Sequence, residues 1–222
     1  MRVIIFGATG MVGQGVLREC LLAEDVKHVL IIGRTAPDQT HQKLQSLILA
    51  DLLDYTDVAT ELQNFDACFF CLGVSSSGVT ESDYVKITYE VTLAAAQTLC
   101  RINSGMTFVY VSGAGTDSTE MGNSMWARVK GRTENSLKAL PFKGVYLFRP
   151  GVIVPMHGIR SKTTSYRILY SLMSPLLPFL RWLLPSVVLT TEVIGRAMLE
   201  VARNGAPKTI LESSDINNIQ KT

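Results

Sequence analysis

The sequence predicts an α/β fold, a doubly wound parallel sheet carrying a small C-terminal lid lobe. Three observations predict it. Apolar runs of strand length alternate with helical patterns along the chain, which is the signature of strands joined by crossover helices. Runs such as RVIIF (2–6) and HVLIIG (28–33) are apolar throughout rather than alternating, as strands covered on both faces must be. Finally, 222 residues at 47% hydrophobic and 18% charged suit one compact domain, with no internal repeat or low-complexity tract. The whole chain, 1–222, is therefore expected to be a single domain, with 151–189 as an insertion in it.

Taken in order, RVIIF breaks into GATGMVG, and a helical pattern follows through about Ala23. HVLIIG is a second buried strand and SLILAD (46–51) a third. A short helix near 56–63 precedes the strand DACFFCL (66–72), and a long helix over about 81–103 leads to the strand TFVYVS (107–112). In 123–140, Trp126, Val129, Thr133, Leu137 and Leu140 recur at spacings of 3, 4, 4 and 3, one face of a helix. Lys130 lies on that same face, so it must either snorkel to water or meet a partner. The strand GVYLF (144–148), the irregular Pro-rich stretch 151–189, a helix near 190–203 and a last strand KTILE (208–212) complete the chain.

Charge excludes some partners. The net charge of +2 does not call for nucleic acid, and none is expected. Its distribution is uneven: residues 1–125 carry 7 Lys/Arg against 14 Asp/Glu, net −7, and residues 126–203 carry 12 against 3, net +9. A basic second half suits a phosphorylated cofactor, an acidic substrate or an anionic membrane surface, and equally a dispersed, solvated set of charges. The apolar run from Ile168 to Leu189 is broken by Pro175, Pro178, Arg181 and Pro185, so it is not a membrane span. It reads instead as a lid, with 165–189 open to a peripheral membrane or protein contact or to a second copy of the chain in a homodimer. Cys68 and Cys71 form a CxxC inside a strand, where residues three apart face opposite ways and cannot easily bridge or share a metal. Reduced thiols and the strand-like start MRVIIFG place the chain in the cytoplasm as an expectation. Three histidines, at 28, 41 and 157, show no ligand spacing, and no metal is expected.

Gly7, Gly10 and Gly13 fall between the first strand and a helix, where a tight turn brings backbone and helix N-terminus close to a pyrophosphate. That context makes GATGMVG a dinucleotide-binding loop, with Thr9, Met11 and Val12 lining it beside the glycines. An acid that would bind a ribose 2′-hydroxyl is missing after the second strand, where Arg34 stands instead and the nearest acid is Asp38. A guanidinium there suits a 2′-phosphate, so the cofactor expected is NADP(H).

GATGMVG, GR at the second strand end, ADL at 50–52, CLG at 71–73, SGAG at 112–115, VKG at 129–131 and FRPGV at 148–152 occur in this order. Together they resemble an atypical short-chain dehydrogenase/reductase with an NAD(P)-binding Rossmann fold, of the branch like the Tat-interacting protein. The resemblance covers the chain to about residue 158 and weakens across the lid. It implies that Asp51 and Leu52 flank the adenine and that Cys71, Leu72 and Gly73 line the cofactor path. It further implies that Ser112 is the active-site serine and that Lys130 holds the nicotinamide ribose. Pro150, Gly151 and Val152 would wrap the nicotinamide end. The family's Tyr-x-x-x-Lys motif reads Trp126-Ala-Arg-Val-Lys130 here, and an indole N–H cannot act as a proton donor at neutral pH. The helix after the fourth strand also has Thr88 where many relatives carry asparagine. The implied activity is reduction of a small carbonyl or sugar-type molecule. Three outcomes stay open: another residue, among Tyr84, Tyr89, Tyr166 and His157, supplies the proton; turnover is slow and draws on water; or the protein is a non-catalytic NADP(H) sensor that binds a partner.

Overall fold

A computed structural model describes residues 1–159 and 188–219. The strands are β1 (Arg2–Phe6), β2 (His28–Gly33), β3 (Leu44–Ile48), β4 (Ala67–Phe70), β5 (Thr107–Val111), β6 (Gly144–Arg149), β7 (Val152–Val154), β8 (Val188–Thr190) and β9 (Ile210–Glu212). The helices are α1 (Met11–Leu22), α2 (Glu81–Val85), α3 (Val91–Ile102), α4 (Met125–Lys138), α5 (Thr191–Asn204) and α6 (Ser213–Ile219). Among the described residues, seven strands form one wholly parallel sheet in the order β3-β2-β1-β4-β5-β6-β9. This is a doubly wound Rossmann sheet, as expected. The proposed lobe over 151–189 falls mostly, and Tyr166 wholly, outside the described residues.

The apolar runs act as the pleat dictates. Val3 and Ile5 join Val29, Ile31, Phe69 and Val109 on one face, against α1, α5 and α6. Ile4 and Phe6 join Leu30, Ile32, Phe70 and Phe108 on the other, against Leu99 of α3 and Leu137 of α4. Each such side chain, taken out of water, contributes roughly 1.5–3 kcal/mol. Cys68 belongs to the second core and Cys71 packs on the first, so the CxxC does splay across the sheet. All four cysteines are free thiols.

Several boundaries differ from the sequence reading. The third strand is Leu44–Ile48 rather than 46–51, and the helix near 56–63 is only a 3-10 turn at Thr56–Val58. The long helix over 81–103 is interrupted by a π turn at Lys86–Glu90. The irregular 151–189 stretch opens and closes with β7 and β8, which pair parallel to each other outside the main sheet. No described helix is long and apolar enough to cross a membrane.

The chain runs outward from β1 to β2 and β3, then returns to place β4 on the other side of β1. At that reversal the loops after β1 and β4 diverge, leaving a crevice beyond the carboxyl ends of the strands. The candidate site starts there.

Candidate active site and nucleotide cleft

Gly7 turns the chain off β1 with φ of +74°, and a Cβ there would come within 2.6 Å of the Leu72 nitrogen. A Cβ on Gly13 would come within 2.1 Å of the Gly7 oxygen. Only glycines let the loop close on β4 and let α1 start so near it. The Gly10 N–H donates to the Gly7 oxygen at 2.9 Å, and Gly10 caps α1 with no side-chain bond. The N–H groups of Met11, Val12 and Gly13 therefore have no intrahelical acceptor and carry the positive end of the helix dipole.

A cavity of about 630 Å³ opens over this turn. Gly7, Thr9, Gly10, Met11, Val12, Arg34, Cys71, Leu72 and Gly73 line it together. Arg34 is exposed and makes no ion pair among the described residues. Burial pushes the Cys71 thiol up to about 12, so it is an inert wall at neutral pH. Asp51 and Leu52 depart from expectation. Leu52 is buried in the second core, Asp51 accepts the Leu53 N–H at 2.9 Å, and neither lines the cavity. Ala8, Gly33, Thr35, Val74 and Ile87 line it unannounced. Thr35 could have been found as the neighbour of Arg34; Ile87 arrives on the π turn, for which the sequence carries no signal.

The other candidate residues gather beyond β5 and β6. The Ala114 N–H donates to the Pro150 oxygen at 2.9 Å, which keeps the two strand exits paired. Gly151 donates to Ser213 Oγ at 2.9 Å, and Val152 is exposed at the start of β7. Lys130 is half-buried, and its Nζ donates to the Ser112 carbonyl at 2.5 Å. Burial pushes its ammonium down to about 8, against an opposing pull from the carboxylate of Glu134. Lys130 therefore does meet a partner inside the apolar stripe. The Trp126 ring covers Gly115, with Cη2 3.5 Å from where a Cβ would stand.

Ser112 is buried, and its hydroxyl donates to Glu134 Oε1 at 2.6 Å, with the Phe148 oxygen farther away at 3.2 Å. A hydroxyl has one proton, and this one is committed to the carboxylate. Glu134 is itself 0% exposed and is forked by Arg149 through Nε at 3.0 Å and through Nη2. Sequence reasoning missed this pair because a glutamate on an amphipathic helix ordinarily faces water.

Of the described alternative proton donors, Tyr89 and His157 have partners of their own. Tyr84 is 1% exposed within the fold. Tyr89 shares a 3.3 Å hydrogen bond with Ser136 and lies under the Arg132 guanidinium, 4.1 Å from its ring centre. His157 Nε2 pairs with Glu192 at 2.8 Å, beside a different cavity lined by Thr9, Arg18 and Asp38. Thr88, on the π turn, is buried, and its hydroxyl has no partner among the described residues.

A glycine turn that only glycine can make, an open helix N-terminus and a cavity between them set the context for comparison. The model of a family described as NAD(P)H-binding matches residues 7–141. The chain belongs to that NAD(P)H-binding family. In fold it is similar to a protein of the short-chain dehydrogenase/reductase family. It is 25% identical over 211 residues to "Protein FMP52-1, mitochondrial" of Scheffersomyces stipitis, spanning 94% of this chain and 89% of that one. It is 26% identical over 155 residues to "Protein HTATIP2" of Rattus norvegicus, spanning 68% of this chain and 62% of that one. Among solved structures it resembles a short-chain dehydrogenase/reductase from Burkholderia thailandensis at a TM-score of 0.71 and 16% identity, covering 98% of this chain and 92% of that one. It also resembles a dTDP-glucose 4,6-dehydratase double mutant from Streptomyces venezuelae, solved with NAD bound, at a TM-score of 0.72 and 16% identity over 96% of this chain and 75% of that one. Such distant structural likeness speaks for the fold. The expected cytoplasmic location is overturned, because the FMP52 relatives are mitochondrial proteins. That expectation rested on the strand-like start and on reduced thiols, and the thiols do not distinguish one reducing compartment from another.

Proposed function

We propose that the chain is an NADP(H)-binding oxidoreductase acting on a small carbonyl or sugar-type substrate. The observation that supports it most is Arg34, an exposed guanidinium without an ion pair among the described residues, at the wall of the cavity that the glycine turn opens. A 2′-phosphate there would receive charge-assisted, forked hydrogen bonds, whereas a ribose 2′-hydroxyl would find no carboxylate among the described residues of the cavity lining. Once bound, the nicotinamide supplies the hydride. The remaining work belongs to the chain: first-turn N–H groups of α1 would hold the pyrophosphate, Lys130 the nicotinamide ribose, and Pro150, Gly151 and Val152 the nicotinamide end. Trp126 would donate a hydrogen bond without releasing a proton.

A second reading has its own support. With Trp126 in the place of the family's tyrosine and the Ser112 proton committed to Glu134, neither residue offers a transferable proton. A non-catalytic NADP(H) sensor is consistent with that. The two readings separate in a steady-state NADPH oxidation assay over aldehydes, ketones and nucleotide sugars. Under the first reading the wild type is slow, and Trp126→Tyr accelerates it by roughly 10²–10⁴-fold, the usual contribution of a positioned general acid. Tight NADPH binding with no oxidation by either protein would leave the sensor reading standing.

A further inference from the structure

Glu134 follows Lys130 by one turn of α4, and both side chains grip the same residue. Glu134 accepts the Ser112 hydroxyl at 2.6 Å, while Lys130 donates to the Ser112 carbonyl at 2.5 Å. Behind Glu134, Arg149 bonds both carboxylate oxygens and reaches Ser118 Oγ at 2.6 Å. A fully buried carboxylate, held at both oxygens, has one orientation.

We propose that Glu134 is a positioning residue for Lys130: it fixes Ser112 so that the Ser112 carbonyl receives the ammonium, and it supplies the buried negative charge the ammonium faces. Ser112 is then a clamp between two side chains of one helix rather than a hydroxyl offered to substrate. The proposal deepens the cofactor reading above and rests on it only for what Lys130 holds.

The surroundings favour a single controlling charge. On α4, Arg128 is spent on Glu81 and the Gly122 carbonyl. From β6, Arg149 is matched by Glu134 and, at 3.5 Å, by Glu212. Tyr110 on β5 is held neutral by burial, with its hydroxyl well above the usual range. Tyr84 is a buried phenol, and Lys86 and Glu90 of the π turn are exposed. Among the described residues, Glu134 is the charge that opposes the effect of burial on Lys130.

The test is the titration of Lys130 in the cofactor-free protein, followed by NMR of ¹³C-dimethylated lysines and assigned with Lys130→Arg. The wild-type midpoint is expected at about 8. In Glu134→Gln it should fall by about one pH unit, since burial then acts unopposed. Because that variant strips Arg149 of its buried carboxylate partner, Glu134→Gln/Arg149→Met is measured beside it, with circular dichroism to show folding, and should shift in the same direction. A second arm follows NADPH affinity against pH: it should weaken as pH rises through the Lys130 midpoint, and start to weaken at lower pH in both Glu134 variants. A merely structural glutamate would lower affinity equally at every pH. An unchanged lysine midpoint in either folded variant overturns the proposal. A shifted midpoint in a protein that binds no NADPH at any pH upholds the positioning role and sinks the cofactor reading instead.

Discussion

Arg34 and Lys130 are both cations of the candidate site, and their environments give them opposite behaviour. Arg34 stands in water and gains only when an anion arrives, whereas Lys130 is desolvated and constrained before any ligand binds. Burial lowers the Lys130 value from 10.5 to about 8, so the unfolded chain holds its proton more firmly than the folded one. Between those values the unfolded state binds more protons, and this group's contribution to stability rises with pH across the window. Affinity for NADPH should move the other way, because the protonated form is the donor. Calorimetric titration from about pH 7 to about pH 9.5 should therefore show weakening in the wild type and a flat profile in Lys130→Arg, which stays charged. Weakening of equal size in both would remove Lys130 from the site. The sequence made Lys130 legible, since a cation in an apolar stripe demands an explanation. Glu134 was illegible, because its partner Arg149 comes from a strand after the helix and no spacing rule links them.

Helix α4 is pinned to the sheet by that pair, with Arg149 on β6 and Ser112 just past β5. On the same helix, Arg128 makes an ion pair with Glu81, whose side chain is 56% exposed. The two contacts look alike in a diagram and should differ in free energy. Arg149→Met leaves a fully buried carboxylate without its counter-ion and should cost about 3–5 kcal/mol in chemical denaturation. Arg128→Ala breaks a solvated pair and should cost at most about 1 kcal/mol. Similar losses for the two would mean that Glu134 takes up its proton or reaches water. Element by element, legibility followed burial. HVLIIG was read with the bounds it has, because its middle four residues are fully enclosed. The third strand slipped because Leu44–Ile48 is the sheet edge, half-buried at two positions and exposed at three. Helix α6, SSDINNI, was missed because it is short and polar and buries only Ser213 and Ile216.

At the scale of the whole molecule, parallel strand order places the loops after β1 and β4 on either side of one crevice, and the glycine turn, Arg34 and the Cys71–Gly73 segment meet there. The uneven charge adds a bias. The acidic first half supplies all of the described cavity wall, so a phosphorylated ligand depends on local groups, Arg34 and the α1 N-terminus, rather than on the general field. This makes cofactor choice the most direct measurement. Calorimetric titration of NADPH and NADH into wild type and Arg34→Ala should give tighter NADPH binding in the wild type. In the variant, NADPH should lose about 1.5–3 kcal/mol while NADH changes little, the two converging. Equal wild-type affinities for NADPH and NADH, or an Arg34→Ala variant that keeps its preference, would contradict the account.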